Sequence, residues 1–119
     1  MTKRVLLLGL RPDLVESFRR SLDVPGVEVV AGSTLADLEA AFRADVVDHV
    51  VLGGGLDTET RTAAVGLVFR LSDRATVHLK DQMSGPEGFV PFATALLRGL
   101  AEYAPVASSN AVLRANDSE

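Results

Sequence analysis

His49-Val50-Val51-Leu52-Gly53-Gly54-Gly55 sets a short, largely apolar run directly before three glycines. A run of this length closed by glycine reads as a strand buried on both faces, because an amphipathic helix would need polar residues at helical spacing. Val5-Leu6-Leu7-Leu8 has the same form and runs into Gly9-Leu10-Arg11-Pro12. In parallel α/β sheets the carboxyl ends of the strands are where ligands are met. An acid there would indicate a phosphoryl or metal site, and at both strand ends this chain carries glycine instead.

Working outward, Pro12 opens a helix in which Leu14, Val15, Phe18 and Leu22 share a face, and Pro25-Gly26 ends it. Val27 to Val30 is the second strand. Ser33 or Thr34 caps a helix with Leu35, Leu38, Ala41 and Phe42 inward. Asp45 and Asp48 restrict the third strand to the second half of Val46 to Leu52. Asp57 or Thr58 caps a long helix to Leu71, Thr76 to Lys80 is a fourth strand, and Gln82 to Gly88 is an irregular loop. A last helix runs from Pro91 to Tyr103 with Phe92, Ala93, Leu96, Leu97 and Leu100 in register. Strands alternating with helices through short loops imply a parallel sheet with right-handed crossovers. The predicted fold is a three-layer α/β sandwich, flavodoxin-like or Rossmann-like, with strand order 2-1-3-4. One domain spans residues 1–104, and residues 105–119, rich in Ser, Asn and Asp, read as a disordered tail.

Composition narrows the function. The 119 residues suit one domain, and 47% apolar residues with only 5% aromatic call for an aliphatic core. Twelve basic against sixteen acidic side chains give a net charge of −4, which argues against binding nucleic acid or anionic lipid through a basic face. The absence of cysteine removes disulfides, thiolate metal sites and a cysteine nucleophile, and fits a cytoplasmic setting. Lys3-Arg4 followed by Val5 to Leu8 is too soon interrupted by Arg11 and Asp13 for a signal peptide, and no stretch approaches the roughly 20 apolar residues of a membrane helix. A soluble protein is expected.

On these residues the chain resembles a response-regulator receiver domain. Val5 to Leu14 lines up with the family's first strand, acidic pair and proline-led helix; Asp48 to Gly53 with its third strand and phosphoacceptor; and Val90-Pro91-Phe92 with its lysine-proline-phenylalanine turn. The functional residues of that pattern are replaced: Gly9 and Leu10 stand for the metal-binding acids, Gly53 for the phosphoacceptor and Val90 for the lysine. The resemblance therefore implies a degenerate receiver that is not phosphorylated, with no resident metal or cofactor. The segment between Lys80 and Pro91 is too short for the family's fourth helix and fifth strand in full, which leaves a fifth strand open.

Gly9-Leu10-Arg11-Pro12 lacks the glycine spacing of a dinucleotide fingerprint, and the second strand ends in Ala31-Gly32 without a ribose-binding acid. Two readings of the triglycine turn stay open. Its backbone amides, together with Gly9, Arg11 and Lys80, form a candidate anion site at Gly53, Gly54 and Gly55. Alternatively the glycines only provide positive φ in a flexible loop, and Asp57, Glu59 and Asp81 oppose an anion. His49 and His78 on neighbouring strands are too few for a zinc site and read as structural.

Along Thr58 to Leu71 the apolar arc exceeds what one sheet face requires: counted from Ala63, Leu67, Leu71, Ala64 and Val68 span about 40° to 140°, while Val65 and Phe69 fall near 200° and 240°. Val65 and Phe69 are thus the candidate self-association surface, and a homodimer is expected. The expected function is a non-catalytic, receiver-like interaction or regulatory domain. The alternative is a small-ligand, nucleotide or anion-binding domain that uses the triglycine turn.

Overall fold

The computed structural model describes residues 2–21 and 24–102. The chain runs β1 (Lys3–Leu8), α1 (Pro12–Ser21), β2 (Val27–Gly32), α2 (Leu35–Ala44), β3 (His49–Leu52), α3 (Thr58–Leu71), β4 (Thr76–Leu79), a 3₁₀ turn (Pro86–Gly88) and α4 (Phe89–Glu102). The four strands form one all-parallel sheet in the order β2-β1-β3-β4, a flavodoxin-like arrangement. No fifth strand occurs among the described residues.

Alternation along the strands builds the two cores. Val5, Leu7 and Val51 face one way, where Val15 and Phe18 of α1 and Ala93 and Leu97 of α4 close over them. Leu6, Leu8, Val50 and Leu52 face the other way, against Leu38 and Ala41 of α2 and Ala64 and Val68 of α3. The central strands β1 and β3 are covered on both faces, which is why their sequences are continuous rather than alternating. Local signals set the helix starts. The Thr34 hydroxyl accepts from the Asp37 amide at 3.1 Å, and the Asp37 carboxylate accepts from the Ser33 and Thr34 amides at 2.8 and 3.1 Å. This reciprocal cap contributes about 1 kcal/mol to α2. The Asp57 carboxylate does the same for α3 by accepting from the Thr60 amide at 2.7 Å.

Several positions differ from the sequence expectation. β1 begins at Lys3 rather than Val5, because its outer residues pair with β2 and need not be apolar. α4 begins at Phe89, with Pro91 in its first turn, where no intrahelical amide is needed. Leu14 is 50% and Leu71 37% exposed, so neither belongs to the core. Ala64 and Val68 point straight at the sheet, which leaves Val65 and Leu67 half-buried on either flank, both touching the core. Leu71 lies in the last turn, where the chain leaves α3 for β4. Leu22 and the tail 105–119 lie outside the described residues. No helix among the described residues is long and apolar enough to cross a membrane.

Candidate functional site

Parallel pairing brings the carboxyl ends of β1, β3 and β4 into one line, and the segments leaving them enclose a pocket of about 530 Å³. Gly9, Leu10 and Arg11 come from the end of β1, Gly53 to Gly55 from β3, Lys80 and Gln82 from β4. Leu14, Val15, Ser17 and Phe18 of α1, Gly85, and Phe89 and Val90 of α4 complete the wall, and the Phe18 and Phe89 rings meet edge to face with centroids 5.2 Å apart. All six candidate site residues, Gly9, Arg11, Gly53, Gly54, Gly55 and Lys80, therefore border one cavity. No lining residue is acidic.

Two of the candidate backbone donors are engaged within the fold. The Gly53 amide donates to the Leu8 carbonyl at 2.8 Å and the Gly9 amide to the Gly32 carbonyl at 3.1 Å, so neither points at a ligand. Nor do the three glycines adopt positive φ, which among the described residues is confined to Gly26 and Gly85. Gly54 is required for close approach: a Cβ there would lie 2.5 Å from the Asp81 carbonyl oxygen. The triglycine turn thus lets the β3 and β4 ends close on each other.

Lys80 is the buried charged group of the pocket wall. Its side chain is 3% exposed, and its ammonium donates to the Asp81 carbonyl at 3.0 Å and the Ser84 hydroxyl at 2.6 Å. The Ser84 hydroxyl in turn donates to Asp81 Oδ1 at 2.9 Å, which with the Ser84 amide holds the Asp81 carboxyl below the usual carboxylate range. The nearest counter-charge to the ammonium is Asp81, 3.9 Å away and itself 61% exposed. Two of the three ammonium donors are accounted for, and a buried cation with so distant a partner favours an acceptor in the pocket. Arg11 is different. It stands at the mouth, 64% exposed, and is held by Asp13 at 3.2 Å.

Sequence reasoning missed the apolar character of the site. Leu10, Leu14 and Val90 are 61%, 50% and 54% exposed around the opening. The visible signal was Leu14, whose place in the helix pattern suited a core residue equally well.

The histidines lie away from this pocket, with His49 at the amino end of β3. One hydroxyl, Thr76 Oγ1, sits 2.5 Å from His49 Nδ1 and 2.7 Å from His78 Nε2, and the rings are 5.8 Å apart. No group of three or more metal-ligating side chains occurs among the described residues. Burial holds both imidazoles below 6.5, with His78 and Lys3 adding to the effect on His49 and Asp48 opposing it. Histidines depressed in this way bind protons more readily in the unfolded chain. Their contribution to stability is complete above 6.5 and is lost as pH falls from there toward the folded values. Urea unfolding should accordingly show lower stability at about pH 5.5 than at about pH 7.5, with a smaller difference in His49→Phe. The same difference in both proteins would show that the pair does not carry it.

No family model, curated protein or solved structure matches the chain.

Proposed function

We propose that this domain binds a small molecule with a largely apolar body and one anionic group, held at the carboxyl edge of the sheet with the anion toward Lys80. The observation that carries this reading is the acid-free pocket of about 530 Å³, walled by Leu10, Leu14, Phe18, Phe89 and Val90, with the buried Lys80 as part of its wall. Pockets of this size with apolar walls and a few convergent polar groups suit small organic ligands. The glycines shape the wall, and the cation orients the ligand. Where a receiver domain would coordinate magnesium and accept phosphate, Gly9, Leu10 and Gly53 offer no carboxylate oxygen. The domain therefore works as a non-catalytic, receiver-like binding module. A reducing, cytoplasmic setting agrees with its lack of cysteine.

Thermal unfolding in the presence of octanoate and 3-phenylpropanoate, compared with the matching primary alcohols, tests this. The carboxylates should raise the melting temperature, by an amount equivalent to about 2.7 kcal/mol at a hundredfold excess over Kd, and the alcohols should do less. Leu14→Glu places a carboxylate at the rim and should abolish the effect while leaving the fold intact, since Leu14 is half exposed. Equal stabilisation by carboxylates and alcohols would remove the role given to Lys80. No stabilisation by any of them, with acetyl phosphate and Mg²⁺ giving stoichiometric aspartyl phosphorylation, would replace the binding reading by the receiver chemistry.

A further inference from the structure

We infer that α3 and the β4 edge form the interface of a twofold homodimer in which Phe69 of each copy enters the cleft between α3 and β4 of the other. The strand order leaves β4 bonded to β3 alone, at the edge of the sheet formed by the described residues. Beside it lies a cleft of about 410 Å³ lined by Thr58, Arg61, Thr62, Val65 and Leu79. Two large apolar side chains stand open on this side, Phe69 at 70% and Leu79 at 49% exposure.

The arrangement is self-complementary. Thr58, Thr62, Val65 and Phe69 are spaced by four, three and four residues, which keeps them on one helix face. The cleft occupies the amino-terminal part of that face, and Phe69 projects one turn beyond Val65. A twofold axis near Val65 lays two α3 helices antiparallel and sets each Phe69 opposite the other copy's cleft at the level of Arg61. One rotation satisfies both contacts and closes the assembly at two copies. Arg61 is positioned for this: its terminal nitrogen is tied to the Lys80 carbonyl, so the guanidinium is fixed, and its Nε is buried without a partner among the described residues. An aromatic ring against a fixed guanidinium gains a cation–π contribution.

Charge selects the antiparallel arrangement. The first turn of α3 carries Glu59 and the last turn Arg70, both exposed. Antiparallel helices bring the acidic start of each against the basic end of the other, and their dipoles also oppose favourably. A parallel pair would set like charges together. Val65 contributes as a bridge: it already touches the domain's own core, and its outer side forms the floor of the cleft. This interface is separate from the carboxyl-edge pocket and does not depend on ligand binding.

Sedimentation velocity of the full chain up to about 200 μM tests the inference by mass action. The wild type should be a dimer. Phe69→Glu should be a folded monomer, its association weakened at least about thirtyfold, because an aromatic anchor at the centre of an interface is lost where the monomer fold does not need it. Glu59→Arg and Arg70→Glu should each weaken association, and the double variant should restore it, an outcome specific to the antiparallel pairing. A wild-type monomer at the highest concentration, a dimer unaffected by Phe69→Glu, or a double variant no better than the single ones would each overturn the proposed interface.

Discussion

Leu52→Ala is expected to lower the unfolding free energy by about 2–5 kcal/mol, since the truncation leaves a cavity that the surrounding structure cannot fill. Leu52 is the last residue of β3, fully buried, with β1 and β4 hydrogen-bonded on either side and α3 above. A strand held from both sides cannot move to close a void. Leu71→Ala supplies the contrast, because this side chain is 37% exposed at the end of α3 and should contribute no more than about 1 kcal/mol. Urea titrations would report both as shifts of the midpoint at constant slope. Similar losses for the two variants would show that Leu71 is a core residue, as helical periodicity alone suggests. A loss under about 1 kcal/mol at Leu52 would contradict the burial of β3 between two helical layers.

The contrast between these leucines also shows what the sequence made legible. Strands buried on both faces announce themselves, because Val5 to Leu8 and Val50 to Leu52 are apolar without interruption and end in glycine. From those runs and the intervening helices the parallel sheet and its order followed, and of the two expected caps, Asp57 and Thr58, Asp57 is the one that starts α3. Helix rotation was less accessible. A 3.6-residue period gives the direction of an apolar arc but not which part of a wide arc meets the sheet, so Leu71 read as core and Val65 as free, whereas Val65 is shared between the core and the outer cleft.

The pocket was legible in position but not in character. Six of its residues lie at strand ends and were identifiable from topology. Its apolar wall depends on how α1 and α4 lean over the sheet, and Leu14, Phe89 and Val90 carry no local mark of that. The burial of Lys80 was equally hidden. It results from the Asp81-Ser84 turn folding over the ammonium, a tertiary event with no periodic signature.

Gly54→Val should cost about 1–3 kcal/mol, a larger effect than at any other residue of the turn, because the added Cβ meets backbone and not a movable side chain. The Asp81 carbonyl oxygen would lie 2.5 Å from that Cβ, with the Asp81 carbonyl carbon and Gln82 Cα both at 3.3 Å. Relief requires the β3 and β4 ends to separate. That strains the Lys80 amide bond to the Leu52 carbonyl at 3.0 Å and the Gln82 side-chain bond to the Leu56 carbonyl at 3.1 Å, both of which tie these loops together. At about 4–8 °C per kcal/mol for a domain of this size, calorimetry would resolve the loss easily. Gly55→Ala is the control within the turn, its Cβ no closer than 3.4 Å to the Leu10 side chain, and should be nearly neutral. Gly99→Ala, with nothing within 4 Å on the exposed side of α4, should stabilise by up to about 1 kcal/mol through helix propensity. Because the same displacement moves Lys80 in the pocket wall, Gly54→Val should also reduce the thermal stabilisation by octanoate, while Gly99→Ala leaves it unchanged. Equal tolerance of substitution at Gly54 and Gly55 would mean that the turn is merely flexible and that close contact between the two strand ends does not shape the site.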